Sequence, residues 1–210
     1  MQVIGIDPLA VDRAAIRRIG LFLRRDGVIA YPTETFYGLG AAADSDKAVR
    51  RIYRLKRREP RKPLSVIVSD LDMLRQIIDD LPPVGLRLAR EFWPGPLTLI
   101  LKAKPSFASP VLGPSRSLGV RVPGPAWLRA LVREVAFPIT ATSANISGRN
   151  ELSDPGDVIR LFRGKVDLVV DGGRTEGVAA STVINLTAAE PTILREGAIP
   201  AEALREYLAP

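Results

Sequence analysis

The sequence predicts an α/β fold with one mixed sheet flanked by helices. Helical and strand patterns alternate along nearly all of the 210 residues, which is typical of strands that are joined by helices. The last strand candidates lie too close together for helical crossovers, so some neighbours must run antiparallel. No repeat, low-complexity tract or linker divides the chain. We therefore expect a single domain over residues 1–210, with its core over about 10–200.

The first half of the chain alternates helices with buried strands. Apolar residues recur at helical spacing over 10–25, and Gly27 ends this helix before a short apolar strand over 28–31. Ser45 is a suitable N-cap for a helix that continues to about Lys56. The patterns that follow predict a strand over 64–68, helices over 70–79 and 83–92, and a strand over 97–101.

The second half begins with a loop. Residues 104–117 contain three prolines and four serines and show no periodicity. Pro155 stands at a first-turn position of a further helix. The remaining patterns predict strands over 118–122, 139–142, 167–171, 182–186 and 192–195, and helices over 126–135, from about 153 onward, and over 200–207.

The composition excludes several kinds of chemistry. The chain has no cysteine and no histidine, which rules out disulfides, thiolate nucleophiles, Ser-His-Asp triads and nearly every transition-metal site. The net charge of +7 favours anionic partners such as nucleotides, RNA or acidic surfaces. An arginine-rich surface without a specific partner explains the charge equally well.

The sequence shows no signal peptide and no run near the ~20 apolar residues that a membrane span requires. Asp7, Asp12 and Arg13 interrupt the amino-terminal region early. We therefore expect a cytoplasmic protein without a membrane partner.

The segment 31–40 suits a small polar ligand. It follows the strand over 28–31 and contains Thr33, Glu34 and Thr35 before Gly38-Leu39-Gly40, which we interpret as a turn. Open α/β sheets bind ligands at the carboxyl ends of their strands, so we expect the site there. The glycines do not complete a dinucleotide fingerprint, because Ala43 occupies the third position.

A dense basic run over 54–62 lies where the second helix gives way to loop. Its cations suit the phosphates of a nucleotide, which they would hold by charge-assisted hydrogen bonds. A solvated helix end is the alternative, because cations also favour a helix C-terminus.

Polar groups follow a second buried strand, over 139–142. The segment 140–148 is dense in small polar residues, and Ser143 and Asn145 stand two apart, so that both can point to one ligand. A simple Asn/Gly turn is the alternative.

Two arginines stand in strand-like surroundings. Arg121 lies inside an apolar strand, where an unpaired charge is costly. It therefore binds either a carboxylate ligand or an internal acid. Arg195 likewise binds either a ligand or an internal acid, and the adjacent Glu196 is the obvious internal partner.

Seven motifs occur in one order along the chain. They are Tyr-Pro-Thr-Glu-Thr-x-Tyr-Gly-Leu-Gly, Lys-x-Arg before Pro-Leu, Pro-Gly-Pro-Leu-Thr, Gly-Val-Arg-Val-Pro, Thr-Ser-Ala-Asn-x-Ser-Gly, Ser-Thr-Val and Arg-Glu-Gly. In this set and order, over roughly 10–200, the chain resembles the YrdC-like threonylcarbamoyl-AMP synthases in their short form.

The resemblance implies a twisted open sheet, YrdC/RibB-like, with a basic concave surface. It also implies a reaction that condenses L-threonine, bicarbonate and ATP into L-threonylcarbamoyladenylate and pyrophosphate, with Mg²⁺ carried by ATP. The product would pass to a downstream threonylcarbamoyl transferase that modifies tRNA. No metal-ligating residues are implied.

Residue roles follow by similarity. Threonine would contact Thr35, Arg121, Asn145 and Ser181, with Arg121 on its carboxylate. The catalytic pair would be Lys56 and Arg58. ATP would contact Lys56, Arg58, Lys62, Ser117, Ser143, Ser153 and Arg195.

Two positions depart from the family pattern. Many relatives have Asn at the position of Lys62 and His at that of Ile67, so the strand over 64–68 lacks an expected polar contact. A different acceptor amino acid or a divergent paralogue stays open, as does a non-catalytic module that binds tRNA or double-stranded RNA. The loop over 104–117 is a candidate for closing the site.

Overall fold

The computed structural model describes residues 1–59, 61–107, 109–177 and 179–208. Within these residues, one open sheet of ten strands is flanked by seven α-helices. The predicted fold class, a mixed α/β sheet with flanking helices, is confirmed.

The elements are numbered in chain order. The strands are β1 (Gln2–Gly5), β2 (Ile29–Pro32), β3 (Tyr37–Gly40), β4 (Ser65–Ile67), β5 (Leu97–Lys102), β6 (Ser117–Arg121), β7 (Ile139–Ser143), β8 (Leu168–Asp171), β9 (Thr182–Asn185) and β10 (Thr192–Arg195). The helices are α1 (Arg13–Leu23), α2 (Asp46–Lys56), α3 (Leu71–Ile77), α4 (Pro83–Phe92), α5 (Ala126–Val135), α6 (Pro155–Phe162) and α7 (Ala201–Leu208).

The sheet has the spatial order β1-β8-β2-β3-β7-β4-β6-β5-β9-β10. Its parallel pairs are β1–β8, β8–β2, β4–β6 and β5–β9. The remaining neighbours are antiparallel, including the closely spaced β9 and β10. The expected mixture of strand directions is therefore present.

The sequence prediction missed two strands, β1 and β3. The interpretation of Gly38-Leu39-Gly40 as a turn is wrong, because these residues belong to β3 and pair antiparallel with β2. The glycines make room for the ring of Tyr31: a Cβ on Gly40 would lie 2.6 Å from Tyr31 Cε1.

Several element ends follow from capping. The Asp12 carboxylate accepts hydrogen bonds from the backbone N–H groups of Ala14 and Ala15, so α1 begins at Arg13 instead of residue 10. Ser45 caps α2 as predicted, accepting from the N–H of Ala48.

The predicted loop over 104–117 contains a short 3₁₀ turn at Pro114–Arg116. The Arg116 Nη2 group donates to the carbonyl oxygens of Lys104 and Phe107 at 2.5 and 2.6 Å. The two ends of this loop are thus held together by one of its own side chains.

The two faces of the sheet are covered unequally. Alternate strand residues such as Ala30, Leu39 and Val120 point to a core formed with α2, α3, α4, α6 and α7. The opposite face packs against α1 and α5, and this second core includes Ile29 and Tyr31 of β2. Two helices cover only part of ten strands, so the rest of this face stays open.

None of the helices in the described part of the chain combines the length and the apolarity that a bilayer crossing requires.

Leu131→Ala should destabilise the fold, because Leu131 on α5 is completely buried in the core shared with α1. We expect the free energy of unfolding in urea to fall by about 2–5 kcal/mol. Leu9→Ala is the matched control: Leu9 is 93% exposed, and its loss should change stability by less than ~0.5 kcal/mol. Equal effects of the two substitutions would contradict the proposed packing of α5.

Candidate active site

A cavity of about 200 Å³ opens on the part of the sheet face that α1 and α5 leave uncovered. Gly38, Ser65, Thr98 and Ala141, from four different strands, line its floor. Their small side chains keep the cavity open above the sheet. Arg121, at the end of β6, stands on the same face.

The predicted position of the site needs a correction. It was expected at the carboxyl ends of the strands, but Ser65 begins β4 and Thr98 is the second residue of β5, whereas Arg121 and Ser143 end their strands. Because the lining combines strand beginnings and strand ends, the cavity lies over a face of the sheet.

Arg121 is buried and held from two sides. Its Nε donates to the carbonyl oxygen of Gly95 at 3.0 Å, and its Nη2 forms an ion pair with Glu34 Oε1. The same Glu34 oxygen accepts from the Gly124 N–H at 2.9 Å. Arg121 nevertheless lines the cavity. Both options that the sequence left open for Arg121 are therefore compatible with its position.

Arg195 is held against the start of β9. Its Nε and Nη2 donate to the Ser181 carbonyl oxygen at 3.1 and 2.8 Å, and Nη2 also contacts Ser181 Oγ at 3.1 Å. Ser181 Oγ in turn lies 3.0 Å from Thr98 Oγ1. Burial lowers the pKa of Arg195. The adjacent Glu196 caps residue 201 instead of pairing with Arg195.

Arg58 also lines the cavity and follows the end of α2. Its Nε donates to the Lys62 carbonyl oxygen at 3.1 Å and its Nη2 to that of Pro63 at 2.9 Å. The side chain of Lys62 is exposed, pairs with Glu59 at 3.2 Å, and does not line the cavity. The structure connects Lys62 to the site through its backbone, whereas the predicted ATP contact of its ammonium stays a prediction.

The three cavity arginines share one feature. In Arg58, Arg121 and Arg195, the Nε and Nη2 groups bind the protein, while Nη1 makes no hydrogen bond within the described residues. Each guanidinium therefore keeps N–H donors for a ligand. Glu151 is the carboxylate among the described lining residues.

Lys56 is fully buried and does not line the cavity. Its Nζ donates to the carbonyl oxygens of Ser143 and Asn145 at 2.5 and 3.0 Å and to Asn145 Oδ1 at 2.7 Å. Burial and the nearby Arg58 guanidinium lower the pKa of Lys56 to about 8. All three donors of its ammonium are engaged, so Lys56 fixes the loop after β7. Its predicted contact with ATP stays a prediction.

Asn145 is also engaged within the protein. Its Oδ1 accepts from Ser143 Oγ at 2.9 Å, and its Nδ2 donates to the Arg149 carbonyl oxygen at 2.5 Å. Ser143 lines the cavity, but Asn145 does not. The buried amide thus orients the loop that presents Ser143.

The remaining candidate site residues also fall into two groups, those that line the cavity and those that do not. Thr35 lines the cavity and lies 2.9 Å from Thr33 through the two hydroxyl oxygens. Neither Ser117 nor Ser153 lines it. Ile67, the expected histidine position, is buried with α5 in the second core and is also absent from the lining.

Sequence reasoning missed Ser65, Thr98 and Glu151 in the lining and the partnership of Glu34 with Arg121. The alternation of side chains between the two faces of a strand could have indicated Ser65 and Thr98. In β5, Thr98 stands between the buried Leu97 and Leu99, which places a small polar residue on the opposite face. Glu34 belongs to the segment 31–40 that the sequence indicated, but its pairing with Arg121 depends on contacts distant in the chain. Glu151 lies in a segment without periodicity, so no pattern indicated it.

The arrangement suits an anionic ligand with hydroxyl or phosphate groups. Guanidinium donors match the geometry of carboxylates and phosphates, and the floor offers hydroxyls from Ser65 and Thr98. In the part of the chain that the structure describes, no group of three or more acidic side chains could hold a metal ion.

Comparison with known proteins gives consistent matches. The model of the Sua5/YciO/YrdC family, described as telomere recombination, matches residues 21–197. Threonylcarbamoyl-AMP synthase of Pyrococcus abyssi is 35% identical over 198 residues, covering 94% of this chain and 58% of that protein. The protein of the same name from Bacillus subtilis is 37% identical over 205 residues, covering 97% and 59%. The chain thus spans somewhat less than three fifths of these two relatives.

Solved structures agree in fold. The crystal structure of P. abyssi Sua5 complexed with L-threonine has a TM-score of 0.94 at 34% identity, covering 100% of this chain and 61% of that one. E. coli YciO has a TM-score of 0.89 at 29% identity, covering 97% and 98%.

The lowered pKa of Lys56 predicts a pH-dependent contribution to stability. The folded chain releases this proton near pH 8, whereas an unfolded lysine keeps its ordinary pKa of 10.5. Between these values the unfolded state binds more protons, so stability rises with pH. The unfolding free energy of the unmodified chain minus that of Lys56→Met should therefore increase from about pH 8 to about pH 10.

Urea unfolding of both proteins across this pH range measures the difference. Lys62→Met removes an exposed lysine of the same basic run and is the matched control for losing one positive charge. A difference for Lys56→Met that stays flat or falls with rising pH would sink the prediction.

Proposed function

The chain belongs to the Sua5/YciO/YrdC family, and on this premise we propose that it is an L-threonylcarbamoyladenylate synthase. It condenses L-threonine, bicarbonate and ATP into threonylcarbamoyl-AMP, pyrophosphate and water, which makes it a nucleotidyltransferase. The synthase names of the relatives and the L-threonine bound to P. abyssi Sua5 support this assignment.

The observation that carries the proposal is the set of three cavity arginines with unengaged Nη1 groups, namely Arg58, Arg121 and Arg195. The reactants carry a carboxylate and a triphosphate, and guanidinium groups bind both. An RNA surface needs neither a buried arginine nor a small cavity.

We assign the threonine carboxylate to Arg121, with Thr35 and Ser181 nearby on the lining. Glu34 acts as a positioning residue, because its carboxylate and the Gly95 carbonyl fix the orientation of the guanidinium. A ligand carboxylate at Nη1 would complete the hydrogen bonds of Arg121 without displacing Glu34.

We assign the ATP phosphates to Arg58 and Arg195, with Ser143 as a further contact. Lys56 and Asn145 serve as positioning residues that hold the Ser143 loop. Mg²⁺ enters with ATP, because Mg²⁺ keeps several waters and binds through substrate phosphates.

The chemistry agrees with a chain that lacks histidine. The amine of threonine and bicarbonate give a carbamate with loss of water. A carbamate oxygen then attacks the α-phosphorus in line, and pyrophosphate leaves. Such a displacement depends on positioning and charge stabilisation more than on a base, and the fixed arginines provide both. The product would serve tRNA modification by a separate transferase.

A divergent paralogue with another acceptor is the second candidate. It follows from the departures from the family pattern at Lys62 and Ile67. Ile67 gives it little support, since this residue is buried in the second core outside the cavity lining.

Pyrophosphate release by the purified chain with MgATP tests the assignment. Release should require both L-threonine and bicarbonate, and omission of either should reduce it to background. Release that needs bicarbonate but is indifferent to threonine would indicate the paralogue. A folded protein that releases no pyrophosphate under any combination would refute the synthase proposal.

Arg121→Ala and Arg58→Ala should separate the two substrates. Arg121→Ala should raise the KM for threonine more than that for ATP, because the proposed contact with the threonine carboxylate is lost. Arg58→Ala should reduce ATP-dependent turnover by at least about a hundredfold, on the scale of lost transition-state donors. Steady-state kinetics with each substrate varied measures both effects.

Loss of Arg121 alone leaves the half-buried Glu34 without its ion-pair partner, which costs stability, at most about 3–5 kcal/mol for a fully buried pair. Arg121→Ala in a Glu34→Gln background avoids this unpaired charge. Equal KM changes for both substrates in that double variant would show that Arg121 has only a structural role.

A further inference from the structure

Hydrogen bonds join three side chains of the cavity lining in a row. Arg195 Nη2 lies 3.1 Å from Ser181 Oγ, and Ser181 Oγ lies 3.0 Å from Thr98 Oγ1. All three residues line the cavity. The proposed reaction assigns substrates to Arg195 and Ser181 but leaves Thr98 without a role.

The chemistry of the groups fixes one donor in this row. A guanidinium has only N–H donors, so Arg195 donates and Ser181 Oγ accepts. Between Ser181 and Thr98, either hydroxyl could be the donor. Among the described residues, Ser181 is the only hydrogen-bond partner of the Thr98 hydroxyl.

Burial decides between the two directions. Thr98 is only 3% exposed, and a buried donor without an acceptor is costly. If Ser181 donated to Thr98, no group in the described part of the chain would accept the Thr98 proton. Thr98 therefore donates its proton to Ser181 Oγ.

The sheet holds the Thr98 side chain in the orientation that this bond requires. Thr98 lies on β5, between β6 and β9. Its methyl carbon faces β6, where Gly119 leaves room: a Cβ on Gly119 would lie 3.4 Å from Thr98 Cγ2. The hydroxyl is directed towards the start of β9, where Ser181 lies. Two different neighbouring strands thus fix the two branches of one stiff side chain.

This direction limits what Ser181 can offer to a ligand. A serine hydroxyl has two acceptor lone pairs and one proton. Arg195 and Thr98 occupy both lone pairs, so the proton is the group that remains for the cavity. A hydroxyl that can only donate matches an ionised carboxylate, which can only accept.

We propose that Thr98 is a positioning residue that makes the Ser181 hydroxyl a fixed donor to the carboxylate of the acceptor amino acid. This role rests on the proposed synthase function and adds to it a residue that acts through Ser181. Thr98 selects the direction of the Ser181 proton and does not itself bind the substrate.

Steady-state pyrophosphate release by Thr98→Val tests this role. Valine keeps the branched shape but removes the donor, so the Ser181 proton is no longer directed to the ligand. The KM for threonine should rise about two- to tenfold, on the scale of one hydrogen bond. The KM for MgATP should change by less than about twofold, because only the threonine contact is weakened. Thr98→Ser keeps the hydroxyl and should restore the KM for threonine.

A double-mutant cycle separates positioning from packing. In a Ser181→Ala background, Thr98→Val should not raise the KM for threonine further, because Thr98 acts only through the Ser181 hydroxyl. A loss of packing would instead add to the effect of Ser181→Ala. Thr192→Val is the matched control: Thr192 is exposed on β10, outside the cavity lining, and its substitution should leave both KM values unchanged.

Thr98→Ala removes the same donor from a smaller side chain and replaces Thr98→Val if urea unfolding shows that the valine variant is not folded. An unchanged KM for threonine in a folded variant without the donor would overturn the role of Thr98, as would additive effects in the cycle. Both results leave the synthase assignment intact, because the unmodified chain still responds to threonine. If the unmodified chain shows no threonine-dependent release, the synthase assignment fails and the role of Thr98 fails with it.

Discussion

The unequal covering of the two sheet faces is the constraint on which the rest of the structure depends. Every strand alternates, so one face receives large apolar side chains and five helices. On the opposite face, only α1 and α5 cover the sheet, and their core reaches from β1, β8 and β2 to Ile139 of β7 and Ile67 of β4. Where these helices end, the strands carry Gly38, Ser65, Thr98 and Ala141 instead of large residues. The cavity exists because this part of the face has neither a covering helix nor side chains large enough to fill it.

The buried polar groups connect elements that are distant in the chain. Lys56 at the end of α2 binds three oxygens of the segment after β7, and the Ser147 N–H returns a 2.8 Å hydrogen bond to the Lys56 carbonyl. Arg58 and Ser143, which both line the cavity, are therefore attached to one network. A change at Asn145 should disturb the loop that presents Ser143, even though its amide does not reach the cavity.

Sequence reasoning succeeded where periodicity or capping was strong. Ser45 at the start of α2 and Pro155 in the first turn of α6 were found from local chemistry alone. It failed at β3, because glycines are common in turns. The reason for Gly38 and Gly40 is tertiary: a Cβ on either would crowd the Tyr31 ring of the neighbouring strand, and one on Gly40 would also crowd Ile139. The composition of the site was partly predictable, since Thr35, Arg58, Arg121, Ser143, Ser181 and Arg195 all line the cavity. The inward position of Lys56 was not, because burial depends on contacts 87 and 89 residues away.

The carbonyl anchors of the cavity arginines have a consequence for affinity. A free arginine loses rotamer entropy when a ligand immobilises it, at a cost of about 0.5–1.5 kcal/mol per side chain. Arg58, Arg121 and Arg195 are already fixed by two groups each, so folding has absorbed that entropy loss before any ligand arrives. Small anions, which make few contacts, benefit most from such a rigid receptor.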